Sequence, residues 1–142
     1  MNLTITSKVK GDLEWVYSNF DEKLFGYLLP PGAKLIAFGG SVKGAIVHLK
    51  LPLAGEWLSE IIEDKQTDSE CYFIDVGRKL PFPLKRWRHK HLLLKKGELV
   101  RIEDQMTFSS GYLVLDLIML PMLWLSFLPR KWQYQGYFNQ LK

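Results

Sequence analysis

Disulfide chemistry is the first thing this sequence lacks. A single cysteine, Cys71, excludes an intramolecular bridge and any zinc site built on paired thiolates. Acidic residues are missing from one stretch: between Arg78 and Lys96 there are eight Lys or Arg and no Asp or Glu. The start, Met-Asn-Leu-Thr-Ile-Thr, lacks the basic head and apolar run of a secretory signal and alternates like a strand. There is no internal repeat and no low-complexity tract. No nucleophile accompanied by an oxyanion arrangement is visible either, which leaves hydrolytic mechanisms of that type without a basis. These absences lead to an expectation of a cytoplasmic protein with no cofactor and no metal.

The rest of the composition is that of a packed domain. At 142 residues, with 47% hydrophobic and 24% charged side chains, the chain is expected to form one domain spanning 1–142 with a sizeable core. The net charge of +4 comes largely from the basic stretch. Within it Arg86, Arg88 and Lys90 alternate with Trp87, His89 and His91, the pattern of a half-buried strand whose outer face is charged. That pattern argues against a nucleic-acid surface, and it leaves docking to an anionic membrane through residues 78–96 as an alternative use of the stripe.

Periodicity organises the chain into one strand, two short helices, six strands and a helical C-terminal third. Leu3, Ile5 and Val9 mark the first strand. Asp12 and Asp21 are placed to cap helices over 13–20 and 22–28, the second stopped by Pro30-Pro31-Gly32. Strands are predicted over 34–38, 44–51, 55–63, 70–76, 86–94 and 98–108, with Lys95-Lys96-Gly97 as a hairpin turn. Gly111 to Leu128 is strongly apolar, with Asp116 its only charge, and 132–141 continues as an amphipathic segment. Asp116, Pro121 and Pro129 argue for a helix laid across the sheet, kinked or started near Pro121, rather than a membrane span. A meander of six strands buries one face, and that long helix is the element that can cover it.

Strand parity then brings chemistry together. Phe73, Asp75, Trp87, His89, His91, Asp104, Met106 and Phe108 fall on the same inner face. A turn centred on Lys96-Gly97 sets Trp87 against Met106, His89 against Asp104, His91 against Ile102 and Leu93 against Val100. Polar groups on a buried face need partners, since leaving one unpaired costs about 1–3 kcal/mol. The cluster therefore reads as a self-satisfied network, as a patch orienting a ligand, as an acid–base pair, or as a three-ligand metal site; parity alone does not choose among them.

These residues carry a resemblance. Phe73-Ile-Asp75, Pro81-Phe82, Trp87-Arg-His89-Lys-His91 and Asp104 resemble the F-x-D-x-Q, G-P-F, W-x-H-x-H and D pattern of a bacterial branch of the START/birch-pollen-allergen-like (SRPBCC) superfamily. Leu29-Pro30-Pro31 and the Gly44 strand followed by Trp57 also fit. Two positions depart: Gly77 stands where the pattern has glutamine, and Leu80 where it has glycine. The resemblance implies an α+β helix-grip fold, a curved seven-stranded antiparallel sheet wrapped around a long C-terminal helix with two short helices between strands 1 and 2. It implies a hydrophobic or amphipathic small-molecule ligand held between sheet and helix, with Trp57, Phe73, Asp75, Trp87, His89, His91, Asp104, Met106 and Phe108 as lining residues. The alternative in the same superfamily is a cyclase- or dehydratase-like enzyme using a His89–Asp104 pair.

Overall fold

The computed structural model describes all 142 residues. Strand β1 (Asn2–Lys10) is followed by helices α1 (Leu13–Ser18) and α2 (Glu22–Leu28). Strands β2 (Lys34–Phe38), β3 (Ile46–Leu51), β4 (Gly55–Gln66), β5 (Glu70–Lys79), β6 (Arg86–Lys96) and β7 (Leu99–Ser109) come next, then helices α3 (Leu113–Phe127) and α4 (Arg130–Leu141). All seven strands form one antiparallel sheet in the order β1-β7-β6-β5-β4-β3-β2, with β1 returning to pair with the last strand. The meander, the two short helices and the C-terminal helical stretch match the expected architecture.

Local causes account for most boundaries. Asp21 caps α2 by accepting the Leu24 N–H at 3.1 Å, while Asp12 sits at the N-cap of α1 without a side-chain bond. Strand β4 runs past the expected end at Glu63 because Asp64, Lys65 and Gln66 continue the ladder opposite Phe73, Tyr72 and Cys71. The ladder carries two bulges, one with an extra residue on β5 opposite Leu58–Ser59 and one on β4 between Ile61 and Glu63. Such bulges add a residue and bend the strand, which curls the sheet around whatever covers it.

The β6–β7 hairpin differs from expectation in register. Lys96 pairs with Leu99 across a two-residue turn of Gly97 and Glu98, and Gly97 takes φ +63, where glycine has no steric penalty. The turn thus centres one residue later than Lys96-Gly97. His89 lies opposite Met106, His91 opposite Asp104, Trp87 opposite Phe108 and Leu93 opposite Ile102. The slip is two positions, so every side chain keeps its face and only the partners change.

Coverage of the sheet also differs in detail. The helical stretch is interrupted at Leu128–Pro129, while Pro121 lies within a continuous α3. Helix α4 sends Tyr134 and Phe138, both fully buried, into a core with Phe20, Phe73, Leu93 and Ile102. Helix α3 buries only Asp116 and Met119. Asp116 is fixed by Ser110, whose N–H and hydroxyl both donate to its Oδ1 at 2.7 Å. Met119 joins a second core with Ile5, Leu84, Trp87, Met106 and Phe108.

Candidate functional site

Strands β5, β6 and β7 carry the polar cluster, and their pleat decides who meets whom. The His89 Nε2–H donates to Asp104 Oδ1 at 2.8 Å, although Asp104 lies two residues away from its direct cross-strand partner. The His91 Nε2–H donates to Asp75 Oδ2 at 2.9 Å, again a diagonal contact, since Asp75 is opposite His89. Diagonal neighbours in a sheet are within reach of side chains as long as histidine. The expected His89–Asp104 pair therefore forms, through a different register. The rings stack in series: Phe73 on His91 with centroids 4.1 Å apart, His91 on His89 at 3.7 Å, and Trp87 edge-on to His89 at 5.8 Å.

A residue not singled out in the sequence completes the cluster. Arg130, at the start of α4, donates from Nη1 to Asp104 Oδ1 at 2.8 Å, and Tyr134 lies behind with its hydroxyl 3.5 Å from the same oxygen. The signal for it was slight: the first charge after Asp116, following Pro129 at the end of an apolar run. Burial by itself pushes the Asp104 carboxyl up, but the Arg130 guanidinium and then His89 outweigh it and hold Asp104 well below the usual carboxylate range. Asp75 follows the same logic, with burial opposed by the hydrogen bond from His91 and the proximity of His89, for a net downward shift. Burial dominates at His91 and, with the neighbouring His89, pulls its imidazole down to about 4. At neutral pH His91 is an uncharged ring that donates through Nε2. Its Nδ1 and the Asp104 Oδ2 are buried without a hydrogen-bond partner.

Above this cluster lies a cavity of about 550 Å³ between the sheet, α2 and the α3–α4 joint. Trp57, Phe73, Asp75, Trp87, His89 and His91 line it. Asp104, Met106 and Phe108 do not: Asp104 is sealed beneath His89 and Arg130, and the other two turn into the core around Met119. They share the inner face as parity required, but β7 lies toward the β1 edge, where α3 and β1 fill the space. Lining residues that the sequence did not mark come from Phe25 and Leu28 on α2, Val47 and Leu49 on β3, and Phe127 and Arg130 at the helix joint. Their apolar character was legible, but which strand end opens onto a cavity depends on sheet curvature.

Donor atoms of Asp75, His89 and His91 lie within 4.8 Å of one another, close enough to raise the question of a metal. The two imidazoles, however, stack with planes 25° apart, so their in-plane lone pairs run side by side instead of converging. His91 Nε2 is also committed to Asp75. As arranged, His91 is hydrogen-bonded to Asp75 and His89 to Asp104.

Gly77 and Leu80 are sterically coupled. A Cβ on Gly77 would fall 2.5–2.8 Å from three carbons of the Leu80 side chain. Leucine at 80 thus occupies space that a side chain at 77 would need. Gly77→Ala should cost about 1–3 kcal/mol through overpacking, and Leu80→Ala in the same chain should recover most of it. Urea denaturation of the three variants measures this; additive losses would show the two sites to be independent.

No family model and no curated protein matches the sequence. Solved structures do. The aromatase/cyclase Zhui from a Streptomyces species superposes with a TM-score of 0.72 at 14% identity, over 99% of this chain and 94% of that one. Norcoclaurine synthase from Thalictrum flavum, in complex with dopamine and hydroxybenzaldehyde, gives 0.69 at 9% identity, over 100% and 88%. The protein XoxI from Bacillus cereus gives 0.71 at 19% identity, over 99% and 96%. The fold is helix-grip. In helix-grip terms, the gripped element here is α4 together with the inner side of α3. The cavity lies where the curved strands β3 to β6 stand away from the α3–α4 joint.

Proposed function

We propose that this protein binds a hydrophobic or amphipathic small molecule in the cavity between the sheet and the C-terminal helices. The observation that carries the reading is the cavity's two-part wall. Fourteen of its 24 lining residues are hydrophobic, while Asp75, His89, His91 and Arg130 are gathered on the β5–β6 side and at the start of α4. A volume of about 550 Å³ falls within the range of roughly 300–1,000 Å³ typical of small-molecule sites, where a few placed polar groups orient an otherwise apolar ligand. Trp57 and Trp87, edge to face with centroids 4.8 Å apart, add a rigid aromatic corner. The polar members suit a ligand with a polar end, since Asp75 and Arg130, each already holding one partner in the cluster, keep further acceptor and donor capacity. A cytoplasmic site of action accords with the single buried, unpaired thiol of Cys71.

The catalytic alternative rests on the same histidines. A carboxylate behind His89 fixes its tautomer, as a proton-transferring pair requires. Asp104 itself is fully buried and shared with Arg130, so the pair meets the cavity only through His89. The two hydroxyls on the wall are engaged elsewhere, Ser59 accepting from Trp57 Nε1 and Ser126 donating to the Met122 carbonyl, and binding is the better-supported reading.

The test is a cavity-filling variant. Leu49→Trp projects bulk from the cavity wall and should weaken an apolar fluorescent probe by at least tenfold, with little change in thermal stability. Native mass spectrometry of the unmodified protein with lipid-like and aromatic compounds should show one-to-one adducts that the variant loses. Equal binding by both proteins would reject the cavity as the site.

A further inference from the structure

Helix α3 is apolar all round and yet mostly outside. A helix of that composition is ordinarily buried on every side. Here Met119, Leu120, Leu123 and Phe127 face the second core or the cavity. The opposite side leaves Leu113, Val114, Leu117, Ile118, Met122 and Leu125 each more than half exposed. The helix carries one charge, Asp116, and it is turned inward to Ser110. A continuous exposed apolar surface of this kind marks a docking face.

We infer that α3 is a membrane-docking helix that lies in the headgroup region of an anionic bilayer, with its outer face in the acyl chains. Four observations favour lipid over a protein partner or a second copy of the chain. First, the outer face from Leu113 to Leu125 presents no charge and no polar side chain, whereas protein interfaces carry a polar rim and direct hydrogen bonds. Second, its ends carry exposed amphipathic rings, Tyr112 before the first turn, Trp124 near the last and Trp132 just beyond, the residues that settle at the membrane–water boundary. Third, cations bracket it. The Lys85 N–H donates to the Ser109 carbonyl and Arg86 pairs with Ser109, so this end of the basic stripe adjoins the start of α3, and Lys131 follows its end. Lys85, Arg86 and Lys131 are exposed and form no ion pair, leaving them free for anionic headgroups. Fourth, Phe82 stands 91% exposed on the loop leading to Lys85, a second apolar point near the same end.

The geometry is that of a helix lying on a bilayer, not crossing it. Fifteen residues span about 22 Å, short of the roughly 30 Å hydrocarbon core. Beyond Leu128 the chain stays helical to Leu141, but Arg130 is tied to Asp104 in the sheet and Tyr134 and Phe138 are buried in the core, so this second half is held by the protein. Because Leu123, Leu125 and Phe127 also line the cavity, docking through α3 would set the cavity wall against the lipid phase.

The experiment is vesicle co-sedimentation of the full chain with phosphatidylcholine vesicles with and without phosphatidylglycerol, beside the variant Ile118→Glu/Met122→Glu. Both positions are exposed and neither lines the cavity, so the variant should fold and should keep any binding of an apolar probe in the cavity. The expected result is sedimentation with the anionic vesicles, weakened but not abolished by raised salt, and at least a tenfold lower partitioning of the variant. Failure of the unmodified protein to sediment would overturn the inference, as would equal partitioning of the variant. So would a self-associated species, seen by light scattering, that the variant dissolves while vesicle binding is absent. Cavity binding is read separately, so loss of one activity does not imply loss of the other.

Discussion

Replacing Arg130 with methionine should cost about 3–5 kcal/mol, the largest effect of any single substitution outside the apolar core. The expected loss comes from what is left behind. Asp104 is fully buried, its Oδ1 is 2.8 Å from the guanidinium, and its Oδ2 has no partner. Removing one member of a buried ion pair strands the other charge in a medium that solvates it poorly. Removing both members is a different matter, because two apolar or neutral groups of similar volume need no solvation. Arg130→Met combined with Asp104→Asn should therefore recover much of the loss, and the two changes should be strongly non-additive. Denaturant midpoints of the two single variants and the double variant decide it. A loss below about 1 kcal/mol for Arg130→Met would show that Asp104 does not depend on the guanidinium for its burial.

Acid should weaken the fold well before ordinary carboxylates titrate. His91 is neutral in the folded protein down to about 4, against 6.5 for a free imidazole. The unfolded chain thus binds a proton that the folded chain refuses throughout that window. The stability contributed by the neutral ring is complete above about 6.5 and is lost progressively as pH falls toward about 4, which amounts to about 3 kcal/mol. Asp75 and Asp104, both shifted downward, add losses of the same sign at still lower pH. Unfolding free energy measured from pH 7.5 to 4 should show this slope. His91→Gln keeps an amide N–H for Asp75 and removes the titration, so its profile should be flatter over the same range. An unchanged slope in that variant would assign the acid sensitivity to other groups.

What the sequence disclosed and what it withheld follow a physical division. Alternation along β5, β6 and β7 assigns faces, and every residue named for the inner face lies there because the pleat has a period of two. The same alternation says nothing about depth or neighbouring elements. Asp104, Met106 and Phe108 share that face with His89, yet they lie under α3 and α4 instead of under the cavity. Arg130 was missed for a related reason: it acts across the sheet–helix gap, and its reach to Asp104 depends on how α4 packs against the sheet, which no local pattern encodes. Apolar content made α3 look like a core helix, and its outer side shows that composition predicts what a helix can bury, not what it does bury.

The diagonal sense of the two histidine contacts has a consequence for how the sheet finds its alignment. Hydrophobic alternation forbids a slip by one residue, which would turn the inner face outward, but it tolerates a slip by two. His89 to Asp104 and His91 to Asp75 tie β6 to both of its neighbours, each contact offset by two positions from the direct partner. A two-residue slip in one sense would carry a histidine four positions from its carboxylate, while the opposite slip would set the two directly across from each other, and both leave every apolar side chain on its proper face. The polar quartet therefore resists slippage in one sense, and the two-residue Gly97 turn holds the β6–β7 alignment against the other. An all-apolar replacement of the four residues should still collapse and still form a sheet, but its amide exchange and cross-strand contacts should report a mixture of alignments.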